Sequence, residues 1–131
     1  MKVSKKKLVL YGLGGYNKTV DQIINDLDAC DDYFDIKLIL VEALTNTFNY
    51  GNKGDKNQPI YIVYSRDGSS LLFEIQGTES DSPELEIPDE ISDENILNEH
   101  GRGLYLIKCL VDKLERIGGT LYIKKNLRMG D

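Results

Sequence analysis

Two short stretches of this chain carry residue types that could do chemistry together. Glu42-Ala43-Leu44-Thr45-Asn46 sets a carboxylate four residues before a carboxamide. On a helix that spacing puts both side chains on one face. The carboxylate could take a proton or position a water, and a carboxamide oxygen beside it suits a hard cation such as Mg²⁺. The second stretch is His100-Gly101-Arg102-Gly103-Leu104. A Gly-x-Gly at a helix start offers free backbone N–H groups and room for a phosphate to approach. Together they point to a nucleotide site, and neither does so alone.

The elements that must position these residues follow from hydrophobic periodicity. At about 100° per residue, Asp35, Glu42, Asn46 and Asn49 fall in a stripe roughly 60° wide, bracketed by Leu38 and Ile39. Ile36, Leu40, Val41, Ala43, Leu44 and Phe48 fill most of the remaining circumference. A helix this apolar is expected to be largely buried, so its polar stripe needs partners. Asp35 is placed to cap it, and Gly51 and Gly54 to end it. Upstream, residues 7–11 read as a strand ended by Gly12, Gly14 and Gly15, and residues 19–29 as a helix with Val20, Ile23, Ile24 and Leu27 inward. Residues 60–65 and 71–75 form a strand pair turning at Asp67-Gly68. A helix over 103–111 and a closing hairpin, 113–117 with 120–125 around Gly118-Gly119, complete the chain. This order predicts an α/β (α+β) two-layer sandwich over residues 1–131, a single domain with a mostly antiparallel sheet and helices on one face.

Composition bounds the function classes. The chain has 131 residues, 40% apolar and 29% charged, with a net charge of −6. That is one core in one soluble domain. The negative charge argues against a nucleic-acid binder, which needs clustered Lys and Arg; the basic run Lys2, Lys5, Lys6, Lys7 reads as a solvated edge. Cys30 and Cys109 lack paired spacing and no signal peptide is evident, which predicts reduced thiols in the cytoplasm. No run is long enough to span a membrane. Residues 12–19, Gly-Leu-Gly-Gly-Tyr-Asn-Lys-Thr, sit where a P-loop would. Asn17 stands where that motif requires Gly, so Asn17 reads as a helix cap instead. One His and two scattered Cys make neither a zinc site nor a nucleophilic triad.

The two stretches resemble the boxes of the anti-sigma-factor serine kinases of the GHKL superfamily (gyrase, heat-shock chaperone, histidine kinase and mismatch-repair ATPases). Glu42-Ala43-Leu44-Thr45-Asn46 is similar to the family's N-box, and Gly101-Arg102-Gly103-Leu104-Tyr105-Leu106-Ile107 to its Gly-x-Gly-Leu helix. Leu110-Val111-Asp112 and Gly119-Thr120-Leu121-Tyr122-Ile123 fit as well, so the resemblance runs from about residue 17 to 126. It implies a Bergerat-type ATP-binding fold and phosphorylation of a serine on a STAS-type anti-sigma-factor antagonist. By the same resemblance Glu42 would be the general base and Asn46 a Mg²⁺ ligand. Gly101, Arg102, Gly103 and Leu104 would form the phosphate-binding element, and Gly77 would line the adenine pocket. The implied partners are ATP with Mg²⁺ and a sigma factor or its antagonist, with a second copy of the chain as a further candidate.

One departure bears on ATP. The middle box of the family reads Asp-x-Gly, its Asp accepting a hydrogen bond from the adenine amine. Here the stretch is Leu72-Phe73-Glu74-Ile75-Gln76-Gly77-Thr78, so Ile75 stands at the Asp position. Glu74 and Gln76 share the opposite strand face. Losing that acceptor would cost roughly 1–3 kcal/mol, or one to two decades in affinity. A non-catalytic interaction module of the same fold is therefore the alternative. The stretch from Thr78 to His100 holds nine acidic residues (Glu79, Asp81, Glu84, Glu86, Asp89, Glu90, Asp93, Glu94, Glu99) and no Lys or Arg. It falls where the family carries a lid over the nucleotide, and its charge would repel a triphosphate without a compensating cation.

Overall fold

A computed structural model describes residues 2–78 and 99–127, with the backbone alone at 50–51 and 99–103. The acidic stretch discussed above, with Pro83 and Pro88, falls for the most part outside the described residues. Strand β1 (Lys2–Tyr11) leads to helix α1 (Tyr16–Asp26). A single 3-10 turn, Cys30–Asp32, feeds helix α2 (Tyr33–Asn46), which opens into a wide π-helical turn, Thr47–Gly51. The hairpin of β2 (Pro59–Asp67) and β3 (Ser70–Gln76) follows. Helix α3 (Glu99–Leu110) and the hairpin of β4 (Lys113–Ile117) and β5 (Thr120–Asn126) close the fold.

The five strands form one sheet in the order β1-β2-β3-β5-β4, every neighbour antiparallel. Alternation along the strands decides the layers. Leu10, Ile60, Ile62, Tyr64, Leu71, Phe73, Ile75, Leu121 and Ile123 point to one face and are buried with the apolar faces of α1, α2 and α3. The other face carries Tyr61, Val63, Leu72, Glu74 and Tyr122, and no described helix lies on it. The expected two-layer α+β sandwich is the observed architecture.

Two buried cations lock helix ends to the sheet. α1 stops at Asp26 rather than at Ala29, because Asp28 takes a left-handed conformation (φ 52°) and Ala29 N–H bonds back to the Ile24 carbonyl at 3.1 Å. This is the usual way a helix closes its last carbonyls. Arg66 on β2 completes the closure: Nη1 donates to the carbonyls of Leu27 (2.7 Å) and Asp28 (3.0 Å), and Nε to that of Gly68 (2.8 Å). Lys125 on β5 does the same for α3, donating to the Leu110 carbonyl at 2.7 Å.

Two expected caps are displaced. α1 begins at Tyr16 behind Gly15, whose φ of +75° ends the preceding loop, so Asn17 lies inside the helix. α2 begins at Tyr33, which puts Asp35 in its first turn, where a carboxylate still favours the helix dipole. β1 also starts five residues earlier than its apolar residues indicate. Its Lys-rich half pairs with β2 across a bulge between Val3 and Lys6, a common device on exposed edge strands.

Candidate nucleotide site

α2 supplies the polar pair. Its inner face is Ile36, Ile39, Leu40, Ala43 and Leu44, all buried in the core. Its outer side is not covered as the composition suggests: Phe34 is 84% exposed and Leu38 39%. The sheet lies on one side only, and in a two-layer fold nothing in the second layer reaches the outer surface of α2. The polar stripe runs along the border of these two regions. Glu42 is half-buried, and Asn46, one turn on, keeps only 7% of its surface. Neither side chain has a hydrogen-bond or ion-pair partner among the described residues. The Asn46 amide atoms are not among the buried polar atoms left unsatisfied, so the carboxamide reaches solvent rather than a partner in the fold and is free to take a ligand.

Directly after Asn46 the helix widens. Asn52 N–H bonds to the Thr47 carbonyl at 2.9 Å, a five-residue step, and such single wide turns recur at functional sites. The Asn52 side chain then joins three elements. Its Nδ2 donates to the carbonyls of Gln58 (3.4 Å) and Pro59 (3.1 Å), at the start of β2. Its Oδ1 accepts from Thr78 N–H (2.8 Å) and Thr78 Oγ1 (3.1 Å), just beyond β3. Asn52 thus fixes the end of the Glu42–Asn46 helix against the strand end that carries Gly77. Sequence reasoning missed both Asn52 and Thr78, since a side-chain bond across 26 positions leaves no local pattern.

On β3, Ile75 points to the helical side and is fully buried, paired with Ile62 and Leu121. Glu74 and Gln76 lie on the opposite face, as strand alternation requires, and neither can stand in for an acceptor at position 75. Gly77 is buried at the strand end.

α3 corrects one boundary. It begins by Glu99, so Gly101-Arg102-Gly103 lie within the helix rather than ahead of it. Glu99, His100 and Arg102 are ordinary helix formers, and two glycines in a first turn cost only about 1 kcal/mol each. A helix that has begun by Glu99 leaves no N–H group beyond Arg102 without an internal partner, so Gly103 donates within the helix, and the loop-like approach expected from Gly-x-Gly is absent. Leu104 and Ile107 are fully buried. The Leu104 side chain therefore anchors α3 in the core and offers no surface to a ligand. α3 packs along α2, and β3 touches the wide turn after α2. The elements that carry the three predicted boxes are thus in contact with α2 or with the wide turn that follows it.

The charges nearby are structural. Tyr33 donates to Asp21 Oδ1 at 2.7 Å, and Lys37 lies 3.4 Å from the same oxygen, tying α1 to α2. The Tyr33 hydroxyl chiefly, with Lys37, holds the Asp21 carboxyl below its usual range, and the same hydroxyl chiefly raises Lys37. Tyr64 is buried and donates to Asp26 at 2.7 Å. Burial first, and the Asp26 carboxylate second, push its phenol up to about 12. Among the described residues no group of three His, Cys, Asp or Glu could hold a metal. An ion at Asn46 would therefore need oxygens from a bound phosphate and water, the usual arrangement for Mg²⁺. The carboxamide oxygen is a hard donor and fits that role. No described helix is long and apolar enough to cross a membrane.

No curated protein matches the chain. A model of the histidine kinase-like ATPase domain matches residues 23–129, which takes in α2, β3, α3 and the closing hairpin. The chain belongs to the histidine kinase-like ATPase domain family, within the GHKL superfamily.

Proposed function

We propose that the chain binds ATP with Mg²⁺ around the last turn of α2 and acts as a cytoplasmic protein serine kinase of the anti-sigma-factor type. The observation that carries the reading is Asn46: a residue almost fully buried whose carboxamide reaches solvent and has no partner among the described residues, one turn beyond the unpartnered carboxylate of Glu42. The family match supports nucleotide binding. Gly101 and Arg102, in the first turn of α3, would offer backbone N–H groups to the phosphates, with Gly103 leaving room for their approach. Gly77 would let the base approach the strand end. Asn46 would hold Mg²⁺, which supplies charge neutralisation at the phosphates.

In that reaction the γ-phosphoryl passes from ATP to a serine oxygen and ADP leaves. Glu42 accepts the hydroxyl proton; its half-buried position lets it reach both solvent and site. Phosphoryl transfer depends on positioning and charge more than on covalent help from the protein. Asn52 contributes here by holding the α2 end against Gly77. The substrate is a STAS-type anti-sigma-factor antagonist, and a sigma factor is the regulated partner; both rest on the resemblance of the boxes.

A specific observation favours a second reading. Ile75 is fully buried where an adenine acceptor belongs, which supports an interaction module that binds nucleotide weakly or not at all. Glu42→Gln separates the two. The variant keeps shape and hydrogen bonding, so it should retain ATP binding while phosphoryl transfer to the antagonist falls by about two decades or more. Undiminished transfer would remove Glu42 from the mechanism.

A further inference from the structure

Among the described residues seven large apolar side chains are exposed. Five of them, Val9, Tyr11, Leu72, Ile117 and Tyr122, lie on the sheet face turned away from the helices. Isolated exposed apolar residues are ordinary, but a contiguous patch on one face marks an interaction surface. A cavity of about 350 Å³ crosses this face from Lys5 on β1 to Ile117 on β4, with Val63, Leu72 and Tyr122 along its floor. It lies on the far side of the sheet from Glu42 and Asn46, so the nucleotide reading does not account for it.

The charge on this face identifies the occupant. Lys5, Lys7, Lys113 and Lys124 stand against Glu74 and Glu115, an excess of positive charge on a chain whose net charge is −6. Two of the lysines are engaged: Lys113 pairs with Glu115 at 3.1 Å, and Lys7 rests on the Tyr61 ring at 5.2 Å. Lys5 and Lys124 have no ion-pair partner among the described residues, and they flank the 43%-exposed Leu72. Two free ammonium groups beside an exposed leucine call for a partner carrying carboxylates next to apolar anchors. A second copy would offer only Glu74 and Glu115 to the four lysines, and Glu115 is already paired with Lys113, so self-pairing leaves the positive excess uncompensated. A phosphate backbone would meet Glu74 in the middle row of the face, between Val63 and Tyr122.

We propose that the open sheet face docks an acidic amphipathic helix of a partner protein, its leucine-like side chains over Val63, Leu72 and Tyr122 and its carboxylates on Lys5 and Lys124. The form follows from the face: a sheet is covered by helices or by another sheet, and its inner side already carries helices. Five strands span about 19 Å from first to last, the length of about 13 helical residues.

The chain has no tryptophan, so a peptide carrying one reports its own binding by fluorescence. The probe is a synthetic helical peptide of about 16 residues, with Leu at i, i+3, i+4 and i+7, Glu elsewhere and one Trp. Its controls carry Lys for Glu, or Ser for Leu. The full chain should bind the acidic peptide saturably and both controls at least about tenfold more weakly. Leu72→Asp should weaken binding by about tenfold or more, and Lys5→Glu with Lys124→Glu should do the same, neither lowering the unfolding temperature. Equal binding of the acidic and basic peptides, or no effect of either variant, would overturn the proposal. So would a dimer in sedimentation that Leu72→Asp dissociates, or capture by phosphatidylserine vesicles that Leu72→Asp abolishes; these assign the face to self-association or to a membrane.

Discussion

Replacing Ile75 by Asp tests whether the strand end of β3 faces an adenine. Ile75 is fully buried between Ile62 and Leu121, so the substitution has two opposing effects. Without ligand it removes a buried branched side chain and introduces a carboxyl into apolar surroundings. Loss of the Ile packing alone costs about 2–5 kcal/mol, and the carboxyl raises its pKa to stay neutral rather than bear full desolvation. Against a domain stability of about 5–15 kcal/mol, a loss of this size makes the variant melt earlier and unfolds it only where the native chain lies at the low end of that range. With ATP it regains an acceptor for the exocyclic amine, worth roughly 1–3 kcal/mol, which is one to two decades in affinity. Adenine nucleotides should gain more than guanine nucleotides, because the adenine amine donates to the carboxyl in either protonation state, whereas guanine presents an oxygen that a carboxylate repels. The assay is calorimetric titration with ATP, ADP and GTP beside thermal unfolding of the same preparation. Ligand-induced stabilisation, RT ln(1 + [L]/Kd), must agree between the two. Ile75→Asn carries the acceptor without the charge and serves where the Asp variant unfolds. A folded variant with no gain for ATP, or an equal gain for GTP, would show that residue 75 does not face the base.

Three other perturbations test separate parts of the account. Asn46→Ala should weaken ATP binding by about tenfold in Mg²⁺ and far less in EDTA; an equal loss in both would mean structural damage. Arg66→Met keeps the apolar stem but leaves the Leu27, Asp28 and Gly68 carbonyls unpaired, and should cost about 2–4 kcal/mol in urea unfolding. A loss below about 0.5 kcal/mol would remove Arg66 from the closure of α1. Tyr64 holds its proton to about 12 in the folded chain against 10.0 in the unfolded one. Its stabilising effect is complete below pH 10 and fades as pH rises from 10 to about 12, because the unfolded chain ionises first. The stability difference between the native chain and Tyr64→Phe should therefore shrink over that window; a constant difference would contradict the Asp26 bond.

The sequence was most legible where a residue's role depends on near neighbours. Alternation placed β2, β3 and β5 and the two-layer arrangement, and the four-residue spacing placed Glu42 and Asn46 one turn apart on α2. It was least legible where the controlling partner is distant. The Lys-rich half of β1 becomes a strand through backbone pairing with β2, not through its own pattern. Arg66 reaches the carbonyls of Leu27 and Asp28, and Asn52 the amide of Thr78, 26 to 39 positions away, which no local window contains. The outer side of α2 was misjudged because periodicity reports how apolar a face is, not whether a third layer covers it. Phe34 and Leu38 stay exposed for that reason. The start of α3 was placed late because glycine marks a permissive backbone, and permissive residues sit inside a helical turn as readily as ahead of it.

The central claim is that the unpartnered Asn46 and Glu42 mark an ATP–Mg²⁺ site. Calorimetric titration of the purified chain with ATP, once in Mg²⁺ and once in EDTA, tests it most directly. The account predicts saturable binding at one site per chain, at least about tenfold tighter with the metal. Absence of binding at about millimolar ATP in Mg²⁺, the level at which binding free energy falls to roughly 4 kcal/mol, would contradict it and leave the interaction module as the function of the fold.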